Sequence, residues 1–196
     1  MQMDFAHLIR PRRPQLLPNV LSKKEVKLIL FASSNLKHRA MLCLLYSCGL
    51  RCGELLNLRL EHIDEQQMSV VVMKPSSNHV RYVPLSNKVL KILKVYCADA
   101  QPKKWLFEGK RVGEMYDARS LQLVMKRCVE KVKIERPLNL NWLRHSYAFH
   151  LLEAGTDVKY VQQLMGHGSS KTTEVYQLLS KREVGKIASP FDLLGI

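Results

Sequence analysis

What this chain lacks narrows it first. No uninterrupted apolar stretch reaches about 18 residues, which excludes an ordinary membrane-spanning helix. The opening Met1-Gln2-Met3-Asp4-Phe5 is not the start of a signal peptide, so the protein is expected to be soluble and cytoplasmic, with no membrane partner. Five cysteines (Cys43, Cys48, Cys52, Cys97 and Cys128) include no Cys-x-x-Cys pair. An odd number without an export signal reads as reduced thiols, several of them buried. Cys48 and Cys52 stand one turn apart with no second ligand pair nearby, and His7, His38, His62, His79 and His150 form no metal spacing, so no metal is expected. Internal repeats and low-complexity tracts are absent. Acidic residues are few: 17 Asp and Glu face 31 Lys and Arg, a formal charge of +14. That imbalance points to a polyanion. The basic residues are spread over several segments instead of lining one amphipathic helix, which favours double-stranded DNA over an anionic membrane, with affinity falling steeply as salt rises.

With 196 residues and 46% hydrophobic content, the chain can bury one sizeable core, so one compact domain is expected. The prolines from Arg10-Pro11-Arg12-Arg13-Pro14 through Pro18 forbid a regular helix and leave residues 1–20 as an extended basic linker. Ser22 and Glu25 form a capping-box pair ahead of Val26, Leu28, Ile29 and Leu30, and open a helix. A second helix, about Leu36 to Cys48, stops at Gly49, and Arg51 begins the next short helix with Glu54 one turn on. Val70–Lys74 and His79–Leu85 read as two strands around the turn-forming Pro75-Ser76-Ser77-Asn78. Ser86 caps a helix to about Ala98, Trp105-Leu106-Phe107 reads as a short strand or extended packing segment, and a helix follows over about Arg119–Val132. Further helices are expected from about Asn141 through Ala154, closed by Gly155, from Asp157 to Gly166, and from about Lys171 to Ser180. The fold class is therefore mainly α with a small antiparallel β-sheet (α+β).

Chemistry concentrates near the end of the chain, in Arg144-His145-Ser146, Gly166-His167 and Tyr176. Arginine presents a planar fork of donors that matches two phosphate oxygens. Histidine can donate a hydrogen bond or move a proton near neutral pH, and tyrosine can form a covalent intermediate. Together they suit an enzyme that cuts a phosphodiester by attaching itself to it.

The run Leu143 to Leu151, then Leu164-Met165-Gly166-His167, then Thr172 to Tyr176, resembles the C-terminal signature of the tyrosine recombinases, also called phage integrases. Upstream, Gly49-Leu50-Arg51-Cys52-Gly53-Glu54-Leu55 is similar to that family's first arginine box. The resemblance covers about residues 20 to 180 and is nearest to Xer-like and conjugative-transposon integrases of bacteria. It implies a tyrosine recombinase catalytic domain over residues 21–180. The implied enzyme is a site-specific recombinase or integrase, acting in the bacterial cytoplasm on nucleoid DNA through a 3′-phosphotyrosyl intermediate with no cofactor. By the same resemblance Tyr176 is the nucleophile, Arg51, Arg144 and His167 hold the phosphate, and Lys74, on the hairpin, is the general acid. Glu54 supports Arg51 from behind, although its i+3 spacing alone also fits an ordinary surface ion pair.

Two features depart from the family pattern. Asn141 stands where the family commonly has His, one turn before Arg144, and an amide cannot accept a proton at neutral pH; His167 is then the remaining candidate to accept the proton of Tyr176. The chain also begins at what looks like the linker, without the N-terminal core-binding domain that closes around DNA in full-length relatives. Residues 181–196 form an apolar tail that either folds onto its own domain or docks on a neighbouring protomer. The implied assembly is a tetramer on DNA and a monomer when free. A catalytically weak DNA-binding fragment and a type IB topoisomerase-like nicking and resealing enzyme are the alternatives.

Overall fold

The capping pair at Ser22 forms as its spacing predicts: the Ser22 hydroxyl accepts from the Glu25 N–H (3.2 Å) and the Glu25 carboxylate accepts from the Ser22 N–H (2.8 Å). The computed structural model describes residues 20–73, 80–166 and 189–195. Within them helix α1 spans Lys23–Ala32, α2 Leu36–Ser47 and α3 Cys52–Leu56. A three-stranded antiparallel sheet follows, ordered β1 (Ile63–Asp64), β2 (Ser69–Met73) and β3 (Val80–Pro84). Then come α4 (Asn87–Ala100), α5 (Ala118–Lys131), α6 (Leu140–Glu153) and α7 (Val158–Met165). The α+β class read from the sequence is the class observed. No helix among the described residues is long and apolar enough to cross a membrane.

The core is built around α2. Every residue from Ala40 to Ser47 is buried, so this helix has almost no solvent face, and α1, α4 and α6 pack against it. At its end Gly49 takes φ +56°, and a Cβ there would sit 2.4 Å from the Tyr147 ring. Only glycine lets the chain turn here while α6 lies this close. Helix α6 buries Leu143, Ser146, Tyr147 and Leu151 together with Arg144. His150, expected as a surface or packed residue, is buried, with Nδ1 2.9 Å from the Tyr46 hydroxyl. Cys43, Cys48 and Cys128 are buried and Cys52 and Cys97 half-buried, all as free thiols. Burial pushes the Cys43 and Cys48 thiols up to about 12, so they stay protonated.

Two expectations are corrected. Strand β1 was not foreseen; two residues pairing Ile63 with Val70 and Asp64 with Ser69 are too short to leave a periodic signal. The hairpin strands are Ser69–Met73 and Val80–Pro84, with Val72 opposite Arg81 and Met73 opposite Val80; the first begins a residue earlier and the second ends a residue earlier than expected, and their inner ends at Lys74 and His79 lie outside the described residues. Of the two courses expected for Trp105-Leu106-Phe107, it takes that of a packing segment and not a strand. Leu106 and Phe107 are both fully buried, and the segment bonds to irregular partners: Leu106 N–H to the Leu58 carbonyl (2.7 Å) and Tyr116 N–H to the Phe107 carbonyl (3.2 Å).

Residues 189–195 pack on their own chain. Phe191 is fully buried beside Tyr46, with ring centroids 6.3 Å apart. The Ser189 hydroxyl donates to the Ser47 carbonyl (3.1 Å), the Ser86 hydroxyl donates to Asp192 Oδ1 (2.5 Å), and Lys27 Nζ donates to the Gly195 carbonyl (2.9 Å). The basic linker, the hairpin turn and the helix expected over Lys171–Ser180 lie outside the described residues.

Candidate active site

Arg51 caps α3 from the residue before its first turn, and Glu54 reaches back to accept from the Arg51 N–H at 2.8 Å. The same carboxylate takes the Arg51 side chain, Nη1 to Oε1 at 2.9 Å. Glu54 is not on the surface: it is 3% exposed, whereas the Arg51 side chain keeps 42% of its area open. An arginine absent from the sequence motifs completes the pair. Arg81, on β3, places Nη1 2.7 Å from Oε1 and Nη2 2.8 Å from Oε2 of Glu54, a two-pronged contact buried from solvent. Arg144 brings a third guanidinium, Nη1 3.6 Å from Glu54 Oε2.

The end of α7 ties these cations together. Arg81 Nε donates to the Leu164 carbonyl (2.9 Å), Arg144 Nη2 donates to the Met165 carbonyl, and Arg51 Nη2 lies 3.5 Å from the Gly166 carbonyl. Arg144 Nη1 also donates to the Gly49 carbonyl, just past the end of α2. Carbonyls at helix C-termini are unpaired within the helix and carry the negative end of its dipole, so a cation is favoured there. Gly166, at φ +60°, ends α7 as the sequence predicts, and a Cβ there would stand 3.1 Å from Arg81 Nη1.

Three guanidiniums share one carboxylate, leaving two positive charges in excess among these four side chains. Burial opposes the charge on Glu54, but hydrogen bonds and charge from Arg81, the Arg51 N–H and the charge of Arg144 outweigh it and hold the carboxyl down at about 2. Burial and then the Arg51 cation draw Arg144 down to about 9, against the pull of Glu54. It remains a cation at neutral pH, yet one short of counter-charge. Burial and then Arg144 lower His145 as well. Such a cluster is suited to receive an anion whose oxygens can take the guanidinium hydrogens left over.

Of the residues singled out from the sequence, Arg51, Glu54 and Arg144 come together here. Asn141, in the first turn of α6, is exposed, whereas Arg144 one turn later is 4% exposed, and the Asn141 N–H donates to Asn139 Oδ1 (2.9 Å). Lys74, His167 and Tyr176 lie outside the described residues. Arg81 was missed because it belongs to no motif, and along β3 the apolar Val80 is exposed while Arg81 is buried, the reverse of what the residue types alone suggest.

A mainly helical domain with a short sheet, holding two arginine boxes around a buried carboxylate, has the fold of a tyrosine recombinase catalytic domain. Residues 19–183 match the phage integrase family, and the chain belongs to that family. It is 39% identical over 184 residues to the putative integrase/recombinase y4qK of Sinorhizobium fredii, covering 94% of this chain and 60% of that protein. It is also 30% identical over 180 residues to tyrosine recombinase XerA of Pyrococcus horikoshii, covering 90% and 62%. The crystal structure of XerA recombinase superposes with a TM-score of 0.73 at 28% identity, over 87% of this chain and 62% of that one. The lambda integrase catalytic core shares the fold, with a TM-score of 0.63 at 19% identity over 76% of this chain and 95% of that one. The chain thus spans about 60% of the length of these full recombinases.

Proposed function

We propose that the chain carries the strand-cleaving and rejoining chemistry of a site-specific DNA recombinase, acting on the nucleoid of a bacterial cytoplasm. The observation that carries this reading is the surplus of two positive charges where Arg51, Arg81 and Arg144 meet around Glu54. Membership of the family is consistent with Tyr176 as the nucleophile, and the charge of +14 suits a duplex DNA substrate.

Attack on a phosphodiester builds negative charge on the non-bridging oxygens, and fixed donors aimed there lower the barrier. Arg51 and Arg144 supply such donors, with His167 as a third. The Tyr176 oxygen bonds to phosphorus and the bond to the 5′ oxygen breaks, leaving a 3′-phosphotyrosyl link. The phenol proton passes to His167, and Lys74 delivers a proton to the leaving 5′ oxygen. Rejoining reverses these steps with the 5′ hydroxyl of another strand. The phosphotyrosyl bond keeps the energy of the original linkage, so no cofactor enters. Completing an exchange calls for four protomers on paired duplexes, assembled from monomers.

A nicked duplex carrying the recombination site, from which the cleaved fragment diffuses away, tests the reading. The expected result is a covalent protein–DNA adduct that vanishes in Tyr176→Phe. Salt-sensitive binding without an adduct would overturn it in favour of a DNA-binding module. Relaxation of supercoiled DNA lacking any matched site would instead point to a topoisomerase.

A further inference from the structure

Every guanidinium nitrogen of Arg81 makes a hydrogen bond inside the protein. The residue is 6% exposed, and its Nη1, Nη2 and Nε are committed to Glu54 Oε1, Glu54 Oε2 and the Leu164 carbonyl. Gly166 approaches it so closely that even a methyl group there would crowd its Nη1. We propose that Arg81 is a positioning residue for strand cleavage, acting through Glu54 to set the orientation of Arg51 and Arg144; the proposal rests on the strand-cleavage reading above.

The argument lies in how one carboxylate is divided. A planar guanidinium that takes both oxygens fixes the plane of the carboxylate as well as its position. With that plane set, Arg51 obtains one side-chain contact, Nη1 to Oε1, and its N–H takes Oε2. Its Nη2 reaches only the Gly166 carbonyl, at 3.5 Å, and the side chain keeps 42% of its area open. Arg144 is held 3.6 Å from Oε2, near enough to feel the charge without turning its own fork onto it. Without Arg81, both carboxylate oxygens are free for Arg51 to grip side-on, which withdraws the donors a phosphate needs. Lysine cannot substitute, because a point donor meets one oxygen at a time and leaves the plane loose.

The test uses the full chain and the nicked duplex described above, reading DNA affinity and the single-turnover rate of adduct formation separately. Arg81→Lys is expected to bind DNA within about twofold of the unaltered chain while its cleavage rate falls by about 10- to 100-fold, the cost of misaligned donors at a developing oxyanion. Combining it with Glu54→Gln should slow cleavage no further than the slower single substitution, because both act through the same contact. Replacing the leaving 5′ oxygen by sulfur, which departs without a proton, should not restore the rate. An unchanged rate in Arg81→Lys, losses that multiply in the double variant, or rescue by the sulfur substrate would each overturn the proposal, the last by assigning Arg81 to the hairpin and its acid. If Arg81→Lys does not fold, Arg81→Met with Glu54→Gln leaves no carboxylate to neutralise; it is expected to fold and cleave slowly, and a normal rate in it refutes the idea. Failure of the unaltered chain to form any adduct would sink the strand-cleavage reading instead.

Discussion

Glu54→Gln removes one charge from the centre of the site and almost nothing from its shape. In an unfolded chain this carboxyl gives up its proton near 4.5; in the fold it does so at about 2, because Arg81, the Arg51 N–H and Arg144 overcome the cost of burial. At about 1.4 kcal/mol for each tenfold change in proton affinity, the ionised form contributes on the order of 3 kcal/mol to stability. The folded value is the lower one, so this contribution is complete above about pH 5, fades as the pH falls from 4.5 toward 2, and is gone below. For a chain of this size the substitution should lower Tm by roughly 6–12 °C at pH 7. Thermal unfolding of both proteins at pH 7, 5, 4 and 3 checks this. Groups common to the two cancel in the difference, so the gap between the melting points should be wide at pH 7 and 5 and should narrow steadily below pH 4.5. A gap that stays constant across the series, or that is absent at pH 7, would refute the account of Glu54 as a buried counter-ion for these arginines.

Two further outcomes follow from packing. Gly49→Ala forces a side chain into positive φ and into the Tyr147 ring; a loss of about 2–4 kcal/mol in urea unfolding is expected, with weakened DNA cleavage because the Gly49 carbonyl no longer meets Arg144. Phe191→Ala empties a fully buried site between the C-terminal turn and Tyr46, and should cost about 3–5 kcal/mol by the same measurement; a loss below about 1 kcal/mol would show that residues 189–195 do not stabilise their own domain.

The parts of this fold that were legible in the sequence are those specified by a local rule. The capping pair at Ser22 and Glu25, the N-cap at Ser86 and the positive-φ glycines at positions 49, 155 and 166 each need only a few neighbouring residues to identify them. The parts that were not legible depend on distant partners. Strand β1 exists because Ile63 and Asp64 meet Val70 and Ser69, and the bent course of Trp105–Phe107 follows from where Leu58 and Tyr116 lie. At the site, i+3 spacing brought Arg51 and Glu54 together but left a surface pair open; only the arrival of Arg81 from a strand 27 residues away buries the carboxylate. Arg144 was identified by its motif, but its partners at Gly49 and Met165 belong to the ends of two other helices.

Helix α7 has eight residues, too few to persist in water by propensity alone. Its last carbonyls, at Leu164 and Met165, and that of Gly166 just beyond, each face a different arginine. The hold on this helix is therefore shared between its buried Val161, Leu164 and Met165 and the cation cluster, and the cluster in turn loses three of its anchors if the helix frays. Unwinding of α7 would take one carbonyl contact from each of Arg51, Arg81 and Arg144 at once, and leave Glu54 and the Gly49 carbonyl to hold them.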